Sequence, residues 1–209
     1  VFGGKLSQTF VSYANTRHKE VVDYFASEEL QVLNALPTAE GAVAVALEHL
    51  GVTIYGARVL VVGYGRIGKA LSALLARMGA CVDVAARKAS DISKIEISFL
   101  TPKPLSSETL LQLVQDGYDV VFNTVPCVLF DTAVLEKASN RTLYIDLASS
   151  PGGFDFSAAE LLGINVLRAL SLPGKYFPIT AGRIIGKTII NYLNYAIKIN
   201  VNIQDMLTI

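Results

Sequence analysis

The chain has 209 residues, 18 basic and 18 acidic side chains, and a hydrophobic fraction of 52%. Such a composition can bury a substantial core and lies outside the range of disordered chains. Balanced charge without a basic block lacks the electrostatic footprint of a nucleic-acid binder, and no unbroken apolar run approaches the roughly 18 residues of a membrane span. Neither nucleic acid nor membrane is therefore expected as a partner.

Two cysteines, Cys81 and Cys127, stand far apart without metal-ligand spacing, so no metal site is expected. Cys81 opens an expected strand and reads as a buried thiol. With no secretory signal in view, this points to a reducing, cytoplasmic setting. The sequence starts at Val1 in mid-pattern: "VFGG" reads as the end of a strand and its turn, as in a truncated or processed product of a longer chain.

Taken in order, "NTRHKEVVDYFA" predicts a helix over 15–26, with Asn15 or Thr16 as its cap. "LQVLNAL" predicts a short strand over 30–36, and Pro37 then starts a helix that stops at Gly51. From Arg58 on, strands and helices alternate. Strands are expected at 58–62, 82–86 and 96–100, then in "DVVFNTVP", "TLYIDLAS" and "INVLRA". Helices are expected at 66–78, from Ser106 or Ser107 to Gln115, at 131–137 and 157–162, and over 181–197.

Nearly all-apolar strands in such alternation predict an α/β fold, a doubly wound parallel sheet of the Rossmann type. Residues 1–55 read as a remnant of an N-terminal α/β domain with a bridging helix, and 56–180 as the dinucleotide-binding domain. Residues 181–209 read as a helix and tail packing back towards the N-terminal segment. The apolar tail "VNIQDMLTI" makes homo-oligomer formation plausible.

Gly63, Gly65 and Gly68 form G-x-G-x-x-G between a strand and a helix. The first glycine permits the turn, the second lets backbone approach a pyrophosphate, and the third lets helix and sheet pack closely. With Arg66 and Ile67 they form the expected pyrophosphate site at a helix N-terminus. NAD-specific folds commonly carry Asp or Glu at the end of the next strand. Here Arg87 and Lys88 stand there, and a guanidinium fork suits a 2′-phosphate, which favours NADP over NAD.

Asn123, Thr124, Val125 and Pro126 leave the fourth strand at its carboxyl end, where such sheets bind ligands, and Asn123 and Thr124 are expected to face the cofactor. Ala148 joins them from the fifth. Ser149, Ser150 and Gly152 follow it, with the glycines as a candidate anion nest for a carboxylate. Weaker substrate candidates are Thr38 and Glu40 at the start of the bridging helix, and Lys175 and Thr180 before the last one. A helix-capping role would also explain Thr38. No catalytic residue can be named. The Arg clamp and acid-paired His of a 2-hydroxy-acid dehydrogenase are missing, since His18 and His49 both precede the glycine turn.

Four separated runs carry a resemblance: "NALPTAEGAVAVALEHLGVTIYGARVLVVGYGRIGKALSALLARMGACVDVAAR", "NTVP", "LYIDLASSPGGFDF" and "LPGKYFPITAG". They resemble the A subunits of dipicolinate synthase from spore-forming bacteria, from about Asn34 to the last helix. One position departs: the family often shows Arg before Pro-Gly-Gly, where this chain has Ser150.

The resemblance implies an oxidoreductase subunit that converts a dihydrodipicolinate-type dicarboxylate to dipicolinate with hydride transfer to NADP. It further implies the cytoplasm of a sporulating mother cell and, for a partner, a flavoprotein-like B subunit. Alternatives are a non-catalytic NADP-binding subunit, or another dehydrogenase such as a hydroxy-acid dehydrogenase or an adenosylhomocysteine hydrolase-like protein.

Overall fold

A computed structural model describes the backbone of residues 1–207 and the side chains of residues 1–195. All the side chains of the apolar tail "VNIQDMLTI" therefore lie outside the described residues, as does the backbone of its last two. Six parallel strands form the main sheet: β3 (Arg58–Val62), β4 (Cys81–Ala86), β5 (Thr101–Pro104), β6 (Val120–Asn123), β7 (Leu143–Asp146) and β8 (Val166–Arg168), in the order β5-β4-β3-β6-β7-β8. This is the doubly wound order, with its reversal point between β3 and β6.

Both faces of the sheet are covered, which explains the apolar strands. Along β3, Val59 and Val61 enter one core while Leu60 and Val62 enter the other. The first core is closed by α2 (Glu28–His49), α3 (Arg66–Arg77) and α4 (Ala89–Ile97), the second by α5 (Ser107–Leu113), α6 (Thr132–Leu135) and α7 (Phe156–Leu161).

The N-terminal segment departs from its predicted elements. The helix expected over 15–26 lies earlier, as α1 (Gln8–Thr16), with Ser7 as its N-cap. It ends where His18 takes a left-handed conformation and Lys19 N donates to Ala14 O. Val22 pairs instead with Phe2 in a two-stranded parallel sheet of β1 (Phe2–Gly3) and β2 (Val22–Asp23), followed by a 3-10 turn, Tyr24–Ala26.

The strand expected over 30–36 is the first half of α2. Ser27 caps this helix, Glu28 and Glu29 occupy its first turn, and it continues through Pro37. Proline there forgoes one helix hydrogen bond and crowds the carbonyl four residues back, and that cost is met by the tertiary packing of α2 against α3, α8 and α9. Gly41 permits part of that packing, since a Cβ there would stand 2.8 Å from Leu172 Cβ of α8 (Leu172–Tyr176). By length and composition α2 could span a bilayer, but half of its most apolar stretch is buried within the protein.

The last helix, α9 (Pro178–Leu207), packs against α2 and α8. It also reaches the N-terminal segment through Asn191 Nδ2, which donates to Glu29 Oε1 at 2.8 Å, and through Tyr192, which donates to Glu20 Oε1 at 3.1 Å.

Two further expectations fail. The strand placed at 96–100 begins at Thr101, because α4 continues to Ile97. Pro102 and Pro104 masked the strand in sequence, yet β5 is the sheet edge, where proline is tolerated. Cys81 is exposed rather than buried, at the start of β4.

Helix α4 ends in a Schellman motif: Phe99 N donates to Glu96 O and Leu100 N to Ile95 O. Its left-handed position, φ 58°, is filled by Phe99, whose side chain is 99% exposed and gains nothing from burial. Glycine meets that conformation without the roughly 1–2 kcal/mol cost of a Cβ. Phe99→Gly is expected to raise the melting temperature by about 2 °C or more; an unchanged or lower value in a thermal scan followed by circular dichroism would contradict this.

Candidate functional site

The glycine turn stands at the reversal point of the sheet, between two clefts. Its first residue, Gly63, has φ 99°, and a Cβ there would collide with Thr124 Oγ1. A Cβ on Gly68 would collide with Gly63 O, so the third glycine sets the contact of α3 with the turn. Gly65 differs: no heavy atom of the described residues lies within 4 Å of where its Cβ would be. It caps α3 without any side-chain bond, which leaves the first N–H groups of the helix available to an anion. These three glycines therefore form a cradle that fits a pyrophosphate.

The first cleft, about 780 Å³, lies over β4, β3 and β6. Gly63, Gly65, Thr124, Val125 and Pro126 line it, and so do Arg87 and Lys88, both exposed. The structure thus brings the cofactor candidates of three strand exits into one groove. Sequence reasoning missed Tyr64, Asp91 and Ser106 in the same lining. Ser106 is the N-cap of α5, bonded reciprocally with Thr109. Asp91 lies 3.5 Å from Lys94 on α4, which offsets its charge next to the basic pair.

The second cleft, about 570 Å³, lies between the N-terminal segment and α3. Arg66, Ile67, Ser149 and Thr38 line it, together with Lys5, Asp23, Gln31 and Asn34, which sequence reasoning did not single out. Arg66 donates to Glu28 Oε2 at 2.6 Å, linking the start of α3 to the start of α2. Asp23 accepts from the backbone N–H of Lys5, Leu6 and Phe25 at 3.1, 3.0 and 2.9 Å. Desolvation pushes the pKa of this carboxyl up, but hydrogen bonds from Leu6, Phe25 and Lys5 outweigh it and hold the value below the ordinary one.

Several expected site residues serve the floor of the site or lie elsewhere. Asn123 lines neither cleft. It is fully buried, and its Nδ2 donates to Asp146 Oδ1 at 2.8 Å and to Val125 O at 3.0 Å, while its Oδ1 accepts from Val125 N. Thr124 lines the first cleft, but its hydroxyl donates to Val62 O at 2.9 Å.

Ala148 is buried with its N–H on Asp146 Oδ1, so it does not wall the cleft. The expected anion nest is spent internally as well: Gly152 N donates to Ser149 O and Gly153 N to Asp146 Oδ2. Ser150 is exposed beside that loop.

Thr38 is not a helix cap. It lies in the interior of α2, with its hydroxyl donating to Asn34 O at 2.7 Å. Glu40 is exposed and lines neither cleft. Lys175 lines a separate cleft of about 200 Å³ with Glu48, His49 and Arg168, because α8 packs against α2 away from the glycine turn. Thr180 falls inside α9, exposed and outside both clefts.

These features define the class: an α/β protein with a doubly wound, Rossmann-type parallel sheet. No family model matches the chain. Over 189 residues, 90% of its length, it is 34% identical to the A subunit of dipicolinate synthase from Bacillus subtilis (strain 168), and it spans 63% of that protein's length. The crystal structure of the Bacillus subtilis protein superposes with a TM-score of 0.86 over 93% of this chain and 64% of that one. Its counterpart from Bacillus halodurans superposes at 0.84, with 34% identity over 92% of this chain and 65% of that one. A transhydrogenase from Sinorhizobium meliloti, 14% identical, superposes at 0.76 over 90% and 64% of the two chains and shares the fold. Over the part of the relative that it spans, the chain is a homologue of the A subunit of dipicolinate synthase.

Asp146 binds the exits of β6 and β7 together from a fully buried position. Asp146→Ala leaves the Asn123 amide and the Gly153 N–H without their partner, at a cost of about 3 kcal/mol. Urea unfolding is expected to show that loss together with weakened dinucleotide binding. Stability within about 0.5 kcal/mol of the parent would remove Asp146 from this role.

Proposed function

We propose that the protein is the NADP-dependent oxidoreductase subunit of a two-subunit dipicolinate synthase. The observation that carries this is the meeting, in one groove, of the glycine cradle with Arg87 and Lys88 and with no acid at the strand end. The homology to the A subunit of dipicolinate synthase supports the reaction class. The domain division at about residues 55 and 180 belongs to the same proposal.

The backbone of Gly65, Arg66 and Ile67 would hold the pyrophosphate at the start of α3. Arg87 and Lys88 would hold the 2′-phosphate by charge-assisted hydrogen bonds. Bound NADP supplies a hydride acceptor. With it, oxidation of a dihydropyridine-2,6-dicarboxylate to the aromatic dicarboxylate would send the hydride to the nicotinamide and the accompanying proton to solvent. The chain's own residues have to orient the dicarboxylate between Ser149 and the N-terminal segment, over the floor formed by Asn123 and Asp146. Aromatisation supplies driving force, so the site needs no strongly tuned base.

A second reading is favoured by the carboxylates themselves. Asp23 accepts from three backbone N–H groups, Asp131 accepts from Val134 N, and Asp91 lies beside Lys94. A protein with such clefts could bind NADP and position a catalytic partner. Turnover of a dihydrodipicolinate substrate by the isolated full-length protein supports the first reading. Turnover only with the second subunit present supports the other.

The cofactor assignment has a direct check. A charge-assisted hydrogen bond contributes about 1.5–3 kcal/mol, so replacing Arg87 and Lys88 together by Ala is expected to weaken NADPH binding by about tenfold to a hundredfold. NADH binding should stay within about twofold, because it lacks the 2′-phosphate. Equal losses for both dinucleotides in a fluorescence titration would refute the 2′-phosphate assignment.

A further inference from the structure

The second cleft carries a cation that the cofactor assignment leaves unused. Lys5 is exposed on its wall with φ 54°, a left-handed conformation uncommon for a residue with a side chain. That conformation is fixed from outside: Asp23 takes the backbone N–H of Lys5 and Leu6, and Asp23 itself is anchored by the pairing of β2 with β1. The ammonium lies 5.7 Å from the centre of the Phe25 ring, which supports the side chain along the same wall.

Arg66 is the other cation lining this cleft among the described residues. It stands at the start of α3 with Glu28 on one guanidinium nitrogen. The remaining polar lining is neutral, from Gln31, Asn34, Thr38 and Ser149, apart from Asp23. That carboxylate already accepts three backbone hydrogen bonds. Two cations from separate elements, with no uncommitted carboxylate between them, suit a small anion with a negative group at each end. The loop after β7 adds no charge here, since Ser149 and Ser150 are both neutral.

We infer that Lys5 and Arg66 hold the two carboxylates of the substrate, one each, and that Lys5 sets the preference for a dicarboxylate over a monocarboxylate. This rests on the dicarboxylate reading proposed above. Lys5 is a binding residue and takes no proton in the reaction.

The test is calorimetric titration of pyridine-2,6-dicarboxylate and pyridine-2-carboxylate into the full-length protein saturated with NADPH, in the parent and in Lys5→Met and Lys5→Arg. Lys5→Met is expected to weaken dicarboxylate binding about tenfold or more, the loss of one charge-assisted contact. It should leave monocarboxylate and NADPH affinities within about twofold, and Lys5→Arg should restore most of the loss. Dicarboxylate affinity unchanged in Lys5→Met overturns the assignment. A parent protein that ignores the pyridine dicarboxylate but binds glutarate, with a loss on Lys5→Met, keeps the clamp and overturns the function proposed above. Binding of neither dicarboxylate overturns both.

Discussion

The site depends on one buried carboxylate. Asp146, at the end of β7, accepts hydrogen bonds from the Asn123 amide, Ala148 N and Gly153 N. A charged group taken out of water is tolerable only when its lone pairs are met in this way. Those bonds draw the exits of β6 and β7 into one rigid floor. Asn123 also folds the next two residues back onto itself, so Val125 and Pro126 face the cleft. The glycines after β7 follow from the same constraint. A Cβ on Gly153 would strike the Asn123 amide, and one on Gly152 would lie 2.7 Å from Asp146 Oδ2.

Above that floor the glycine turn separates two clefts of different character. The first combines an anion cradle at the start of α3 with a basic pair at the end of β4. The second is walled by the N-terminal segment, and its cations come from a loop and from α3. Helix α2 joins the two halves. Its first turn meets Arg66 and α9, while its middle covers the sheet core beside α3. The start of α3, where an anion would bind, is thus tied to α2 by the exposed Arg66–Glu28 pair and by the packing of the two helices.

The main sheet apart from β5 was legible because its signals are local. Apolar runs, a glycine turn and capping serines each declare an element within a few residues. The N-terminal segment was not legible, because its structure is decided by contacts distant in sequence. Leu30 to Leu36 reads as a strand before a proline, yet it is helical because α2 is held by α3, α8 and α9. Val21, Val22 and Phe25 have helical spacing, but the pairing of Phe2 with Val22 takes precedence. The place of Arg87 and Lys88 in the first cleft was legible, since strand ends fix where such residues stand. Lys5 was invisible, because a lysine after two glycines carries no signal until Asp23 is seen to clamp its backbone.

The same contrast separates two strand-exit residues: Asn123 lines neither cleft, while Thr124 lines the first one with its hydroxyl spent on the backbone. A polar residue at the carboxyl end of a strand can face the ligand or tie the loop that faces it, and sequence position is identical in both cases. Burial and partner count decide between them. Asn123 is fully buried with both ends of its amide engaged, and Thr124 donates to Val62 O beneath the glycine turn. Their chemistry is consumed in shaping the floor. The cations lining the two clefts are Lys5, Arg66, Arg87 and Lys88, beside the neutral side chains of Ser106, Gln31, Asn34 and Ser149 and the carboxylates of Asp23, Asp91 and Asp131. Each of these three carboxylates is already engaged by backbone N–H groups or by a lysine. Whatever reaction the site supports must draw mainly on orientation, with little help from acid–base side chains.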